Sequence, residues 1–399
     1  MAEQLTVTMF NVGFGDCFLV EIPFGRKPPF RILFDCGRHK GDAQATANQV
    51  IEAARDPDGT PRIDVIVGTH RHKDHVNGFA KDGWEKVEVR EVWLPWTENP
   101  EDPEARGLVE QQVRAAMTAK AALAPGMAND PLQKNYFGLM ELALSNEAAM
   151  DTLYNGFVGN PTRRYLPDPE APHEPLTLSG FPGLRFHIMG PSRDEKALAV
   201  MEPPKAETFR KLAAAAAPGA NGAPMKPFPD SLTFDLKTKP FPTLLGDEDE
   251  KSIAALAARS ALTALSAAVD KAINNTSLVV MVEIGEAFLL FCADAQWGNW
   301  QSILADSHWR EMIGNTTFLK VGHHASHNAS PVTLIETLLP EGIPAMISVD
   351  PEAYSSVPYG KLLTAFDTRK FKVARSDLPD DATPDYEAAD EVISLKLDF

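Results

Sequence analysis

The 399-residue sequence is poor in cysteine, has no long apolar run and carries no excess of positive charge. Its three cysteines, Cys17, Cys36 and Cys292, make no disulfide framework. Each sits in or beside an apolar stretch, so they read as small buried hydrophobes in a reducing compartment. No apolar run approaches the ~18 residues that a transmembrane helix needs. The start, MAEQLTVTMF, carries Glu3 and lacks the basic and apolar regions of a signal peptide. A soluble, cytoplasmic protein with no membrane partner is the expectation. Lys and Arg number 38 against 55 Asp and Glu, a net charge of −17. Nucleic-acid affinity comes mainly from neutralising phosphates, so this balance disfavours a general polyanion binder and leaves room only for a local basic groove. Hydrophobic residues are 44% and charged residues 23%, which excludes disordered and collagen-like chains and allows a full core without staples.

What is present is a rhythm of short β-type runs. Residues 5–10, 17–22, 31–34, 63–67 and 87–94 read as strands, with a helix over 43–54. The pattern returns at Ser277 with a hairpin, 277–283 and 287–292, turning at Gly285, then strands at 317–321, 345–349, 371–374 and 392–397. Two helical stretches, about 104–154 and 193–271, read as insertions. In the first, Val109, Val113, Ala116, Met117 and Leu123 recur at helical spacing. In the second, a Pro- and Gly-rich loop over 217–249 precedes a helix with Leu262, Leu265, Val269 and Ile273 on one face. The acidic run GDEDE (246–250) reads as a solvated helix N-terminus rather than a metal loop. Ser330-Pro331 predicts a helix start, with Ser as N-cap and Pro first in the helix. Two sheet-forming blocks separated by helical material predict one α/β domain over residues 1–399.

The strongest chemical signal is GTHRHKDHVNG, residues 68–78, in which His70, His72, Asp74 and His75 follow an apolar strand. Residues i and i+2 at a strand end point the same way, so His70 and His72 can grip one ion. Asp74 and His75, past the bend, can face a second. Imidazole and carboxylate with water suit zinc, and also manganese or iron. A histidine-rich surface turn is the plain alternative for one histidine and is disfavoured for four potential ligands within six residues.

This motif resembles that of the metallo-β-lactamase superfamily. Further pieces narrow the resemblance to the soluble domain of the DNA-uptake protein ComEC and its relatives. They are FNVGFGDCFLV (10–20), ILFDCG (32–37), NNTSLVVMVEIGEAFLLFCADA (274–295), KVGHHASHNASP (320–331) and KFKVARSD (370–377). They stand in family order, and the two helical stretches lie outside the match. Ala293 and Ala325 occupy positions where the family commonly has Gly.

The resemblance implies an αββα sandwich of two mixed sheets flanked by helices, with two divalent metal ions, zinc foremost, at one edge. Carried over by position, His70 and His72 bind the first ion, Asp74 and His75 the second, and Asp294 bridges both. His323 completes the second site, because Gly322-His323 directly follows a strand, and His324 points to substrate as a proton donor. The superfamily has one more histidine ligand. His187, in a strand before Gly-Pro, is the candidate, with a core or surface role as its alternative, whereas His173 lies in a Pro-rich loop and is set aside. Asp35 is expected to orient a ligand histidine, and Asn275 and Ser277 to support the site or cap a strand. His39 and His308 read as solvated, His327 as a neighbour of the metal loop, and Trp96 as a substrate-facing aromatic or a core or rim residue. The implied chemistry is hydrolysis by a metal-activated hydroxide oriented by Asp74. A phosphodiesterase or nuclease is favoured, acting on a small molecule, a nucleotide or nucleic acid. A lactone or other ester hydrolase is the alternative, and a metal-stabilised binding or regulatory module is the reading from another class.

Overall fold

The computed structural model describes residues 3–25, 27–123, 137, 140, 146–198, 200, 202–209, 272–379, 385–389 and 391–399. Alternating apolar residues in short runs build sheets, because successive side chains of a strand leave opposite faces. The first sheet holds β1 (Gln4–Phe10), β2 (Phe18–Ile22), β3 (Phe30–Phe34), β4 (Arg62–Val67), β5 (Glu88–Pro95) and β6 (Thr162–Leu166). The second holds β7 (Leu176–Thr177), β8 (Arg185–Gly190), β9 (Val279–Ile284), β10 (Ala287–Phe291), β11 (Phe318–Lys320), β12 (Pro344–Ile347) and β13 (Lys372–Arg375). β14 (Tyr386–Ala389) and β15 (Val392–Asp398) return to the first. The strand orders are β14-β15-β1-β2-β3-β4-β5-β6 and β13-β12-β11-β10-β9-β8-β7. Both sheets are mixed: β3 to β6 run parallel in one and β10 to β13 in the other, with antiparallel pairs beyond.

One core fills the space between the sheets. Val7, Val20, Ile32 and Val65 face Val280, Val282, Leu289 and Phe318, and Phe34 stacks on Phe291 with ring centroids 3.9 Å apart. The outward residues of the first sheet, Leu19, Leu33 and Ile66 among them, pack with the helices Ala43–Ala53 and Glu147–Asn155. Those of the second, including Met281, Leu290 and Leu319, pack with Trp297–Ala305, Ser307–Ile313 and Gly360–Thr368. The layers therefore run helix, sheet, sheet, helix. Among the described residues no helix is long and apolar enough to cross a membrane.

Most predicted strands stand close to where the apolar alternation put them. β6, β7 and β14 escaped it: β6 reads TRRYL, with two arginines, and β7 has two residues. The first helical stretch contains Pro103–Leu123, but Met117 is 57% exposed and Ala116 and Ala119 carry the buried face. The loop 217–249, GDEDE, Leu262, Leu265 and Val269 lie outside the described residues. Ile273 is buried with Ala116, Ala119 and Met140. The predicted helix start at Ser330-Pro331 is displaced: a π-helical segment covers Thr333–Leu338. Glu207, rather than Ser330, serves its first turn, accepting from Thr333 N at 2.9 Å and Thr333 Oγ1 at 2.6 Å.

Phe291 is 2% exposed and touches both sheets through Phe34 and Phe318. Phe291→Ala is expected to lower stability by about 3–5 kcal/mol through lost burial and the cavity left behind, read as a fall in thermal or denaturant midpoint against wild type.

Candidate metal centre

β3, β4, β10 and β11 deliver their carboxyl ends to one edge of the sandwich, where ligands gather in open α/β sheets. β3 runs into Asp35, β4 into residues 68–75, β10 into Asp294 and β11 into His323-His324. The loops meet closely enough that a Cβ on Gly37 would strike the backbone of Asp74 and His75. His70, His72, Asp74, His75, Asp294 and His324 are all at most 3% exposed.

Hydrogen bonds on one side of each ring set which nitrogen faces the cluster. His75 Nδ1 bonds Asp35 Oδ2 at 2.7 Å, leaving Nε2 facing Asp294 Oδ2 at 3.2 Å. Thr69 Oγ1 donates to Asp35 Oδ2 at 2.7 Å and lies 3.1 Å from His70 Nδ1, which turns His70 Nε2 inward. His324 Nδ1 donates to the Ser348 carbonyl at 2.8 Å. Its Nε2 has no hydrogen-bond partner and lies 3.7 Å from both Asp74 Oδ2 and Asp294 Oδ2. This is the pattern of metal-binding imidazoles, whose second nitrogen is fixed by a carboxylate or carbonyl. Three groups have one atom from each member mutually within 4.8 Å: His70, His75 and Asp294; Asp74, His75 and His324; and Asp16, Asp35 and His75, of which the last already pairs Asp16 with Lys320 and Asp35 with Thr69. His70 Nε2 and His72 Nδ1 approach to 3.2 Å, which joins His72 to the first group.

Electrostatics mark the same place. Burial pushes His70 well below the ordinary histidine range and His72 down to about 4. Burial acts against charge on His75 too, but the carboxylates of Asp294 and Asp35 outweigh it and hold its pKa well above the usual value. His324 is raised in the same way by Asp294 and Asp74. Asp294 and Asp74 are held low, the surrounding imidazoles overcoming their desolvation.

The structure brings His70, His72, Asp74, His75 and Asp294 together, with Asp35 behind His75, and of the last two histidines it places His324 in the cluster and His323 at its margin. The chain does not leave β11 as an extended strand. His323 (φ 45°, ψ 54°) and His324 (φ 52°, ψ 32°) both adopt left-handed backbone, which sends His324 into the cluster and His323 toward solvent. The His323 side chain is 20% exposed. Its Nδ1 hydrogen-bonds with Gln296 Nε2 at 3.1 Å and Ser326 Oγ at 2.9 Å, and its Nε2 lies 3.8 Å from Asp294 Oδ2. It lines a cavity of about 210 Å³ above the cluster, walled by Phe14, Tyr354 and Val357 on one part and Asn274, Gln296 and His327 on another.

His187 is not brought to the cluster. Phe186 and Ile188 face the core, so strand parity turns His187 to the other face, where its Nε2 pairs with Glu283 at 2.6 Å. Trp96 does not face substrate: it is fully buried against Ala105 and Leu198 with the Arg193 guanidinium 4.5 Å from its ring. His39 is half-buried beside Phe14 and Tyr354 rather than solvated, and burial lowers its pKa. His308 is likewise half-buried, against Trp309 and His173, and His173 bonds Asp306, away from the cluster. Asn275 ties Leu198 and Val200 through their carbonyls, and the Ser277 carbonyl accepts from Asn299. Asp16, Lys320, Asn274, Gln296 and Ser326 surround the cluster without having been singled out. Lys320, ending an apolar strand before Gly-His-His, was the visible signal.

Both helical stretches, so far as they are described, abut the loops of the candidate cluster. Arg71 forks onto Glu98 at 2.9 and 2.6 Å, Tyr154 donates to the same carboxylate at 2.7 Å, and Asn146 donates to the Arg71 carbonyl. At the cavity rim Glu202 lies 3.4 Å from His327, and Tyr359 donates to the Phe209 carbonyl at 3.2 Å.

No protein-family model matches the chain, and comparison with curated proteins finds no match.

The geometry separates His323 from His324 by metal retention. His324→Ala is expected to lose bound zinc on dialysis, since a missing imidazole leaves its ion under-coordinated. His323→Ala is expected to retain zinc at the wild-type ratio. Elemental analysis of both variants is the check, and the opposite pattern would restore His323 as the ligand.

Proposed function

We propose that this chain is a metal-dependent hydrolase of the metallo-β-lactamase superfamily, patterned like the soluble ComEC-like domain, and that it cleaves phosphodiesters with two divalent ions. The observation that carries the proposal is the buried convergence of His75 Nε2 and His324 Nε2, which have no hydrogen-bond partners, on the carboxylates of Asp294 and Asp74, which line an open cavity. Orphaned buried polar atoms are unfavourable unless something occupies the space between them. The layering of helix, sheet, sheet, helix, with donors from both sheets at one edge, supports the same reading.

Charge supports two ions rather than one. Asp16, Asp35, Asp74 and Asp294 are buried carboxylates, and Lys320 is the buried ammonium among them. With neutral imidazoles, as metal ligation requires, the centre holds three net negative charges. One divalent ion leaves it negative. Two leave room for one further anion, the charge of a hydroxide or of a phosphodiester. Imidazole with carboxylate favours zinc, with manganese and iron next.

Divalent cations bound there acidify water and polarise the scissile oxygen. The chain supplies the rest. His70 and His72 with Asp294, and Asp74 and His75 with His324, form the two halves of the cradle. Asp35 fixes the His75 ring, and Asp74, also at the cavity floor, orients the attacking water. His323 contacts the leaving group from the cavity wall, steadied by Gln296 and Ser326. Phe14 and Tyr354 provide a flat apolar surface for the part of a small-molecule or nucleotide substrate next to the ester.

The test is a panel of bis(p-nitrophenyl) phosphate, single-stranded DNA, RNA, a lactone and nitrocefin, each with zinc and with manganese. Diester hydrolysis that chelation abolishes and metal restores is expected, with His323→Ala lowering turnover by roughly two orders of magnitude or more. Turnover of the lactone alone moves the assignment to a carbonyl ester hydrolase. Tight metal binding without turnover of any substrate moves it to a metal-stabilised binding module.

A further inference from the structure

Lys320 is the one fully buried lysine among the described residues, at 1% exposure. Phe318 faces the core between the sheets and Leu319 the helix side, so parity directs Lys320 back between the sheets, beneath the candidate metal cluster. Its ammonium pairs with Asp16, donates to the Ala293 carbonyl at 3.2 Å and stands 3.9 Å from Asp294 Oδ1. Asp16 and Asp294 outweigh the effect of burial and keep it protonated.

The partners lie on two loops, Ala293 and Asp294 on one and Asp16 on another that is hydrogen-bonded to the Asp74 loop. Ala293, in left-handed backbone (φ 46°), immediately precedes Asp294, and its carbonyl also accepts from His323 N at 2.9 Å. Asp16 N donates to the Asp74 carbonyl at 3.1 Å, and Asp16 Oδ2 lies 3.7 Å from His75 Nδ1. The carboxylate of Asp294 is consequently divided. Oδ1 is turned to the ammonium, while Oδ2 faces the Nε2 atoms of His75 at 3.2 Å and His324 at 3.7 Å. A lysine placed only to neutralise Asp16 would need neither the Ala293 carbonyl nor proximity to Asp294.

We propose that Lys320, anchored by Asp16, is a positioning residue that orients the Asp294 carboxylate and locks the Ala293 turn, so that one oxygen of Asp294 is presented to the metal-binding imidazoles. This rests on the cluster being a metal centre. Groups that orient ligands from behind typically account for 10–100-fold in metal affinity or activity.

The experiment compares Lys320→Met, the double variant Lys320→Met with Asp16→Asn, and Lys320→Arg in the full chain. Zinc affinity is read by competition with a chelating dye, thermal midpoint by melting, and kcat and KM on bis(p-nitrophenyl) phosphate. Lys320→Met leaves Asp16 buried without its cation and is expected to lower the midpoint. The double variant removes both charges and is expected to recover the midpoint while zinc affinity and kcat stay about 10–100-fold down, with KM little changed. Recovery of zinc affinity and kcat together with the midpoint would overturn the proposal, leaving the pair a packing element. Should the double variant fail to fold, Lys320→Arg decides. It keeps the charge but moves it, and is expected to fold with kcat at least ~10-fold lower, whereas wild-type kcat and affinity would overturn the proposal. A wild-type chain that takes up no zinc would instead overturn the metal-centre reading beneath it.

Discussion

The constraint on which the rest of this structure turns is the burial of four carboxylates at one edge of a two-sheet sandwich. Asp16, Asp35, Asp74 and Asp294 are each at most 3% exposed, and an isolated ionised group taken out of water is strongly disfavoured. None is isolated. Asp35 accepts from Thr69 N at 2.8 Å and from its hydroxyl and holds His75, Asp16 pairs with Lys320, and Asp74 and Asp294 lie among imidazoles. The strands serve this arrangement by ending together, and the loops beyond them are drawn in far enough that glycine is required at position 37.

The helical stretches are joined to this edge through polar anchors. Arg71 sits between His70 and His72 and points away from them, onto Glu98 and the region of Tyr154 and Asn146. Asn275 leads into β9 and binds the carbonyls of Leu198 and Val200. Glu207 serves the first turn of the segment that follows the histidine loop. Each anchor joins a sequence-distant stretch to a segment that carries, borders or follows the candidate cluster.

Legibility in the sequence followed locality. His70, His72, Asp74 and His75 could be read because they lie together after an apolar run, and most strands because alternation is a local property. Asp16 and Lys320 could not be paired, since each is an ordinary residue until the two sheets bring them together. His187 stayed open between a ligand and a core or surface role for want of strand parity: the strand was foreseen, but not which face its neighbours Phe186 and Ile188 would take. The placement of the histidine pair differs from the extended-strand expectation for a conformational reason. Extending the strand through Gly322-His323 puts His323 at the cluster, and no side-chain pattern announced that the backbone would instead turn left-handed at both histidines. The layered arrangement was anticipated from the resemblance more than from spacing, and the π-helical start at Thr333 depends on Glu207, whose proximity no local pattern encodes.

Ala293 (φ 46°) and Ala325 (φ 62°) hold left-handed backbone without being glycine. Such a conformation disfavours an L-residue by roughly 1–2 kcal/mol, yet an alanine also restricts the unfolded chain more than glycine does. The two loops that present Asp294 and His324 are therefore both strained and stiff. Glycine at these places would relieve the strain and, in the same step, widen the range of shapes each loop can explore. These two small methyl groups are therefore a tuning point for the edge of the sandwich, setting the balance between strain and stiffness in both loops.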